Sequence, residues 1–195
     1  NCYPYSRRVI RRKKAYPTTM ETFMGIEIPR NTKEALYLDK KNKDNMWRDA
    51  MKVEVDSIQE HKTLVFLPPG TKPPDGYQEA PLRMIFDVKP DLRRKARLVA
   101  GGHKVDARGH SSFSSVVRLD SIRLLNVIAK AQGLQVLAGD VGNAYLNAET
   151  KEKVYTICGP EFGPDLEGRI VILKKALYGL KLSGNHWHVH FAKTL

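Results

Sequence analysis

The stretch "PLRMIFDVKPDLRRKARLVA", residues 81–100, shows the folding pattern of this chain most clearly. Apolar residues occupy every second position in its two halves: Leu82, Met84, Phe86 and Val88, then Ala96, Leu98 and Ala100. Because successive side chains of a strand point to opposite faces, each half predicts a strand with one buried face. The charged segment "DLRR" between the halves predicts a turn, so the two strands are expected to pair as a hairpin.

Other helices and strands are expected on both sides of this hairpin. Helical spacing of apolar residues occurs in three segments: 44–62 with Asp44 as N-cap and His61 near its end, 119–133 with Asp120 or Ser121 as N-cap, and 177–195 after a glycine turn. Short apolar runs predict four more strands: "TLVFL" (63–67), "LQVLAG" (134–139), "KVYTI" (153–157) and "GRIVIL" (168–173). This order predicts an α+β fold with a mainly antiparallel sheet and packed helices.

The composition is that of a basic globular protein. The chain has 195 residues, with 33 Lys and Arg against 21 Asp and Glu, giving a net charge of +12. Such a surplus favours polyanionic partners, nucleic acid first and anionic membrane second; a solvated basic face is the alternative. Only two cysteines occur, Cys2 and Cys158, which argues against a disulfide scaffold and a cysteine-based zinc site. No apolar run approaches the ~20 residues that a membrane helix needs.

The first part of the chain has weak periodicity and a dense basic run. "RRVIRRKK", residues 7–14, places six cations in eight positions. Such blocks repel themselves and are typical of disordered segments or of segments that lie on a polyanion. We predict a basic, weakly structured segment or linker over residues 1–42 and one folded domain over residues 43–195. A nucleic-acid-binding arm or a nuclear localisation signal is the alternative for the basic run. The first residue is Asn rather than Met, which suggests a piece of a longer protein.

The predicted strand 134–139 is followed directly by an acid. Asp140 comes after Gly139 and is followed by Val141 and Gly142. An Asp at a strand end beside small residues can hold a divalent cation such as Mg²⁺, which prefers oxygen ligands. Alternatively, Asp140 caps the turn that begins at Val141. The residue pattern leaves both interpretations open.

Two further segments carry candidate ligand-binding residues. Lys95 and Arg97 share one strand face and Arg93 and Arg94 lie in the turn, so the hairpin can clamp phosphates or carry a solvated basic face. In "LYGLKLSGNHW", residues 177–187, Gly179 permits close approach of a ligand to the backbone. The alternative is an ordinary helix start. "HWHVH" places His186 and His190 one helical turn apart; a helix end with exposed histidines and a zinc site both remain open.

Taken together, these segments resemble one family. "DVGNAYL" resembles motif A of retroviral-type reverse transcriptases, which carries the first catalytic aspartate. Seven blocks resemble, in order, the signature of copia-type retrotransposon polymerases: "KARLVAGG", "SVVRLDSIRLL", "GDVGNAYLN", "KVYTI", "GPEFG", "LKKALYGLK" and "HW". "MWRDAMKVEVDSI" and "MIFDVK" are similar to that family's upstream helix and strand, so the resemblance covers residues 44–195. It implies a partial right-hand polymerase fold, with fingers and the first part of the palm.

The resemblance also implies roles for individual residues. Asp140 matches the catalytic ligand of two Mg²⁺ ions, and the Val141 carbonyl matches a further ligand. The positions that match nucleotide-binding residues are Lys95, Arg97, Tyr145, Tyr178 and Gly179, with Tyr145 at the steric gate under the sugar. Arg93, Arg94 and Lys181 are the candidates for nucleic-acid contact.

Departures from the family pattern set further expectations. The second aspartate motif, Tyr-x-Asp-Asp, does not occur in the sequence, and Leu182 and Gly184 stand where Gln and Pro are common. We therefore expect an RNA-directed DNA polymerase fragment that is inactive alone. Its implied partners are the RNA or DNA template-primer, deoxynucleotides and the downstream polymerase and RNase H regions of a polyprotein, without a membrane. The implied localisation is cytoplasmic particles or the nucleus. A non-catalytic basic nucleic-acid-binding module and a decayed relic are the alternatives.

Overall fold

The computed structural model describes residues 20–194, and within them the chain has mixed helix and strand content. The strands are β1 Glu21–Phe23, β2 Ile26–Ile28, β3 Leu64–Phe66, β4 Gln78–Glu79, β5 Leu82–Val88, β6 Arg94–Ala100, β7 Val154–Ile157 and β8 Ile170–Leu173. The helices are α1 Thr32–Asn42, α2 Met46–Glu60, α3 Leu119–Ala131 and α4 Ser183–Thr194, with short 3₁₀ turns at Gly102–Lys104, Ala144–Asn147 and Pro160–Phe162. The α+β expectation is confirmed.

The hairpin predicted from residues 81–100 is present. β5 and β6 pair antiparallel, from Leu82 opposite Ala100 to Val88 opposite Arg94. The alternating apolar residues of β6 are buried, while Lys95 and Arg97 on the other face are exposed. One correction concerns the turn: Arg94 is already the first residue of β6, so only Arg93 lies in the connection.

The remaining strands form two further sheets. β3, β8, β7 and β4 make a four-stranded sheet in that order, and β1 pairs with β2. The sheet pairings are antiparallel except between β4 and β7, which run parallel. The predicted antiparallel character is therefore right for most pairs, and the single parallel pair places the short β4 at the edge of the sheet.

The core lies between α2 and the hairpin. Trp47 and Ile58 of α2 are buried together with Leu98 of β6. The rings of Trp47 and Phe86 meet edge to face with centroids 5.5 Å apart, an arrangement that aromatic quadrupoles favour. This packing fixes α2 against the strand that carries Lys95 and Arg97.

The cap of α2 differs from the sequence expectation. Asn45 is the N-cap by backbone position, and Asp44 accepts only from the Met46 amide, at 3.3 Å. The buried Asp39, from the end of α1, accepts instead from the amides of Trp47 at 3.0 Å and Arg48 at 2.9 Å. A carboxylate from another helix thus satisfies the amides that a local cap would bind, and its negative charge complements the helix dipole.

The expectation of weak structure over residues 1–42 is wrong from Glu21 onward. β1, β2 and α1 are formed there, and Ala35 and Leu38 of α1 are fully buried in the core. Asn31 caps α1 by accepting from the Glu34 amide at 3.0 Å. The basic run at residues 7–14 lies outside the described residues.

Around α3 the prediction is right for the helix and wrong for the segment after it. α3 begins after Arg118, so neither Asp120 nor Ser121 is its cap, and it stops before Gly133, whose φ is +67°. Only Ala129 of α3 is buried. Residues 134–141 form no strand, and Leu137 is 94% exposed. All of residues 134–141 are exposed, and no strand among the described residues pairs with them.

α4 begins at Ser183, so Gly179 lies in the turn before the helix and not at its start. Among residues 20–194, no helix has the length and apolar character needed to cross a bilayer.

Candidate functional site

The candidate site is built where the end of β6 meets the turn before α4. The Ala100 amide donates to the Tyr178 carbonyl at 2.7 Å. Gly179 has φ +92°, and a Cβ there would overlap the Ala100 carbonyl oxygen; a Cβ at Gly102 would overlap the Gly179 carbonyl oxygen. The close approach that Gly179 was expected to offer a ligand is therefore made by the chain's own backbone.

Three side chains from distant segments come together beside this junction. The rings of Tyr145 and Tyr178 lie with centroids 4.9 Å apart, tilted by 46°. The Arg97 guanidinium lies 5.9 Å from the Tyr178 ring centroid, within the range of a cation–π contact. The hairpin, the turn at residues 144–147 and the turn before α4 thus share one surface. We call Arg97, Asp140, Tyr145 and Tyr178 the tyrosine patch.

Asp140 belongs to this patch through its charge. Its side chain is exposed and makes no hydrogen bond or ion pair with residues 20–194, so the alternative role as a cap is not observed. Burial raises the pKa of the Tyr178 hydroxyl; the Arg97 charge opposes this shift, while Glu54, Tyr145 and Asp140 add to it. The Asp140 charge is the smallest of these contributions to the pKa of Tyr178.

A side-chain hydrogen bond joins the loop after Asp140 to α2. Asn143 has the left-handed φ of +51°, and its Nδ2 donates to the Ser57 Oγ at 2.9 Å. Asn147 Nδ2 donates to the Asn143 carbonyl at 3.3 Å. Asn and Asp tolerate this backbone region better than most residues, which suits the turn expected after Asp140. The contact between Asn143 and Ser57 has no signal in the sequence.

Glu54 was also missed. Its Oε1 accepts from the Leu98 amide of β6 at 3.0 Å, on the edge of β6 that does not pair with β5. Burial raises the pKa of Glu54, and the Leu98 amide and the charges of Lys95 and Arg97 hold it down. Glu54 stands seven residues after Trp47, on the buried stripe of the helix, and a carboxylate at that position was the available signal.

Three of the other predicted cations contact other groups, and the Lys95 side chain forms no hydrogen bond or ion pair with residues 20–194. Arg93 lies 3.6 Å from Asp91 as an exposed ion pair. Arg94 lies over the Trp47 ring at 5.9 Å and donates to the Leu92 carbonyl at 2.7 Å. Lys181 Nζ donates to the Val105 carbonyl at 2.8 Å. Lys95 is exposed in a groove of about 870 Å³ between α2 and the hairpin turn. Arg97 is thus the hairpin cation that joins the tyrosine patch.

The donor set around Asp140 is small. No group of three or more His, Cys, Asp or Glu side chains in residues 20–194 is arranged to hold a metal ion. Two divalent ions at one carboxylate would repel each other with little compensation. The described residues therefore do not fit a pair of Mg²⁺ ions, although Asp140 and the Val141 carbonyl supply oxygen donors for one.

Comparison with known proteins identifies the family. Residues 63–195 match the family described as reverse transcriptase (RNA-dependent DNA polymerase). The chain belongs to this family. It is 32% identical over 191 residues to the Retrovirus-related Pol polyprotein from transposon TNT 1-94 of Nicotiana tabacum, an alignment that covers 91% of this chain and 14% of that protein.

Two further relatives are also polyproteins of transposons, one from a plant and one from yeast. It is 32% identical over 161 residues to the Pol polyprotein from transposon RE1 of Arabidopsis thaliana, covering 78% of this chain and 11% of the relative. The Ty1-DR4 Gag-Pol polyprotein of Saccharomyces cerevisiae is 33% identical over 106 residues, covering 53% and 6%. The copia-type resemblance is confirmed: the chain is a copia-type reverse transcriptase segment that spans at most about a seventh of these relatives. No solved structure matches it.

Proposed function

We propose that residues 43–195 form the fingers and the first palm portion of a right-hand RNA-directed DNA polymerase, with the tyrosine patch as its nucleotide site. One observation carries this proposal. Arg97, Tyr145 and Tyr178 come from segments far apart in sequence and their side chains meet, and Asp140 lies five residues before Tyr145 on the adjoining loop. These are the residue types that nucleotidyl transfer needs, because the protein's main contributions are positioning and charge.

Each side chain has a physical task in this proposal. Arg97 offers a planar fork to phosphate oxygens, and Lys95 lies two residues along the same strand face, about 7 Å away. Tyr145, packed on Tyr178, presents an aromatic surface for the sugar. Glu54 orients the strand: its carboxylate fixes the Leu98 amide, directly after Arg97, so the strand that carries both cations keeps its position when the triphosphate arrives.

Asp140 is proposed as the metal-binding acid of the site. Mg²⁺ bound with a nucleotide would neutralise phosphate charge, and Asp140 and the Val141 carbonyl would be this chain's ligands to it. Because the described donors do not fit two ions, we propose that the longer polyprotein adds the missing carboxylates. The unpaired segment 134–141 and the exposed apolar side of α3 support this, since both are suited to contact further palm structure.

Primer extension tests the proposal. The isolated chain is expected to extend no primer, whereas the longer polyprotein does so with Mg²⁺. Asp140→Asn should abolish extension by the longer protein, and Asp75→Asn, an exposed acid in a distant loop, should not change it. Extension at near-normal rate by the Asp140→Asn protein would remove Asp140 from the site. Robust synthesis by the isolated chain would overturn the proposal that its metal site is incomplete.

A second candidate function is nucleic-acid binding without catalysis. It is favoured by the net charge of +12 and by the single carboxylate at the patch. RNA binding that weakens with salt and is unchanged when Mg²⁺ is removed would support it, provided that the longer protein also fails to extend a primer.

A further inference from the structure

A second basic surface lies away from the tyrosine patch. It is a groove of about 530 Å³ between α4, the loop at His110–Ser111 and the chain around the β-bridge of Glu149 and Lys175. Six basic side chains line it, and we call it the lysine–histidine groove: His110, Lys151, Lys175, His186, His190 and Lys193. We propose that this groove binds the phosphate backbone of a single-stranded nucleic acid.

The groove has two basic walls. His186, His190 and Lys193 are spaced four and seven residues apart on α4, so they project from the same side of the helix. Lys151 and Lys175 come from the opposite wall, after the 3₁₀ turn 144–147 and after β8. A strand lying along the groove would therefore meet cations from both sides.

The lysine side chains of this groove form no ion pair within the described part of the chain, and Glu149 lies opposite Lys175 in the β-bridge. Lys151, Lys175 and Lys193 form no ion pair or hydrogen bond with residues 20–194, whereas Lys41 and Lys89 pair with carboxylates at 2.6 and 2.9 Å. The groove's lining contains one carboxylate, that of Glu149. Three lysines against one glutamate leave a net charge of +2 even with neutral histidines, so an anionic ligand would be attracted.

The cations are also near enough to repel one another. Burial lowers the pKa of His186, and the charges of Lys151 and His110 lower it further. The Nδ1 of His186 is buried and has no hydrogen-bond partner in the described structure. A phosphate in the groove would offset the repulsion, and its oxygens can accept from imidazole and ammonium donors.

Aromatic side chains beside the groove favour a single strand over a duplex. The rings of Trp187 and Phe191 stack with centroids 5.3 Å apart, and the Trp187 ring lies 5.9 Å from that of His190. Phe191 is 40% exposed. Unpaired bases stack on such side chains while the backbone follows the cations.

The groove is separate from the proposed nucleotide site. Asn147 lines the groove, whereas Tyr145, two residues earlier on the same turn, packs against Tyr178. The groove therefore does not depend on the catalytic proposal, and a chain that performs no polymerisation can still bind a strand there.

Salt-dependent binding to the 195-residue chain tests this inference. The probe is a fluorescent oligo(U) RNA of about 12 nucleotides, followed by anisotropy between about 50 and 200 mM salt. The groove variant is Lys151→Gln, Lys175→Gln, Lys193→Gln. The matched control is Lys33→Gln, Lys40→Gln, Lys72→Gln, which removes the same charge from exposed lysines outside the groove.

The expected result is a difference in salt slope. Each lysine–phosphate contact contributes about 0.7 to the slope of log K against log salt for single strands, so the groove variant should lose about 2. The control should keep the parent slope. An equal loss in both variants, or none in the groove variant, would overturn the proposal.

A variant that should increase RNA affinity distinguishes an effect on binding from loss of folding. Glu149→Gln removes the repelling carboxylate and should tighten binding about twofold or more, which an unfolded protein would not show. Unchanged or weaker binding by Glu149→Gln would contradict the proposal. A second outcome would also contradict the proposal. If the groove variant loses binding to phosphatidylserine vesicles but binds RNA as the parent does, the groove recognises a membrane surface.

Discussion

At the scale of single residues, Gly179 shows how tightly the site is assembled. Its φ of +92° is in the region that favours glycine, and the Ala100 carbonyl occupies the space of a side chain. Gly179→Ala should lower the free energy of unfolding by about 2 kcal/mol or more. Gly109→Ala is the control, because Gly109 has a similar φ of +81° but open space around it. Urea denaturation measures both, and equal losses would mean that the contact with β6 contributes nothing.

Glu152 is a residue whose ionised form should destabilise the fold. Neither of its carboxylate oxygens has a hydrogen-bond partner of good geometry. Burial raises the pKa of Glu152, partly offset by the Leu182 amide and the charges of His110 and Lys181. The folded state therefore holds this proton to higher pH than the unfolded state, so this group's contribution to stability falls as pH rises through the raised pKa.

The corresponding substitution is Glu152→Gln. At pH 7 it should raise the free energy of unfolding by about 1 kcal/mol, because it removes the buried charge. The gain should shrink as pH falls through the raised pKa, and at about pH 4 the parent carboxyl is already protonated. Denaturation at both pH values measures this, with the exposed Glu167→Gln as control. A gain that does not change with pH would exclude ionisation as its cause.

At the scale of elements, the start of α2 separates sequence-based expectation from tertiary structure. Asp44 precedes the helix and is a favoured cap residue, but the two amides are satisfied by Asp39. Asp39→Ala should therefore cost about 1–2 kcal/mol of stability, and Asp44→Ala less than about 0.5. Thermal or urea denaturation of the two variants measures the difference. The larger loss in Asp44→Ala would show that the local cap dominates.

The elements predicted correctly are those whose pattern is local. β5, β6 and α2 follow from alternation or helical spacing, and each buries the face that its pattern predicts. β7 and β8 follow from short apolar runs, which predicted the strands without a buried face. The segment 134–139 has a strand pattern as well, but alternation only describes a surface, and a strand also needs a neighbour for its amides. The short pieces at residues 21–42 were missed because charged residues interrupt their apolar spacing.

The same distinction applies to the candidate site. Arg97, Tyr145 and Tyr178 could be named from motifs, since each lies in a recognisable block of sequence. Glu54 and Asn143 could not be placed, because their roles depend on contacts across 44 and 86 residues of chain. The sequence showed which side chains could bind a nucleotide. The structure added the two polar side chains that hold them in place.

At the scale of the whole molecule, most described elements pack into one core, whereas α3 and the segment after it bury little surface. The buried core joins α1, α2, the hairpin and the four-stranded sheet. α3 contributes only Ala129 to buried surface, and its Leu124 and Leu125 are 60% and 58% exposed. Because helices in proteins are stabilised mainly by packing, α3 and residues 134–141 should open far more readily than the core.

Hydrogen exchange measures this distribution directly. Amides of α2, β5 and β6 should exchange slowly, through opening of the whole core, whereas amides of α3 should exchange near the rate of a marginal isolated helix. The four-stranded sheet is the internal control, because it should follow α2. In a longer polyprotein that supplies the proposed palm contacts, α3 should become protected while the core amides keep their rates. Protection of α3 equal to that of α2 in the isolated chain would contradict this division. It would also remove the structural support for further palm packing on α3.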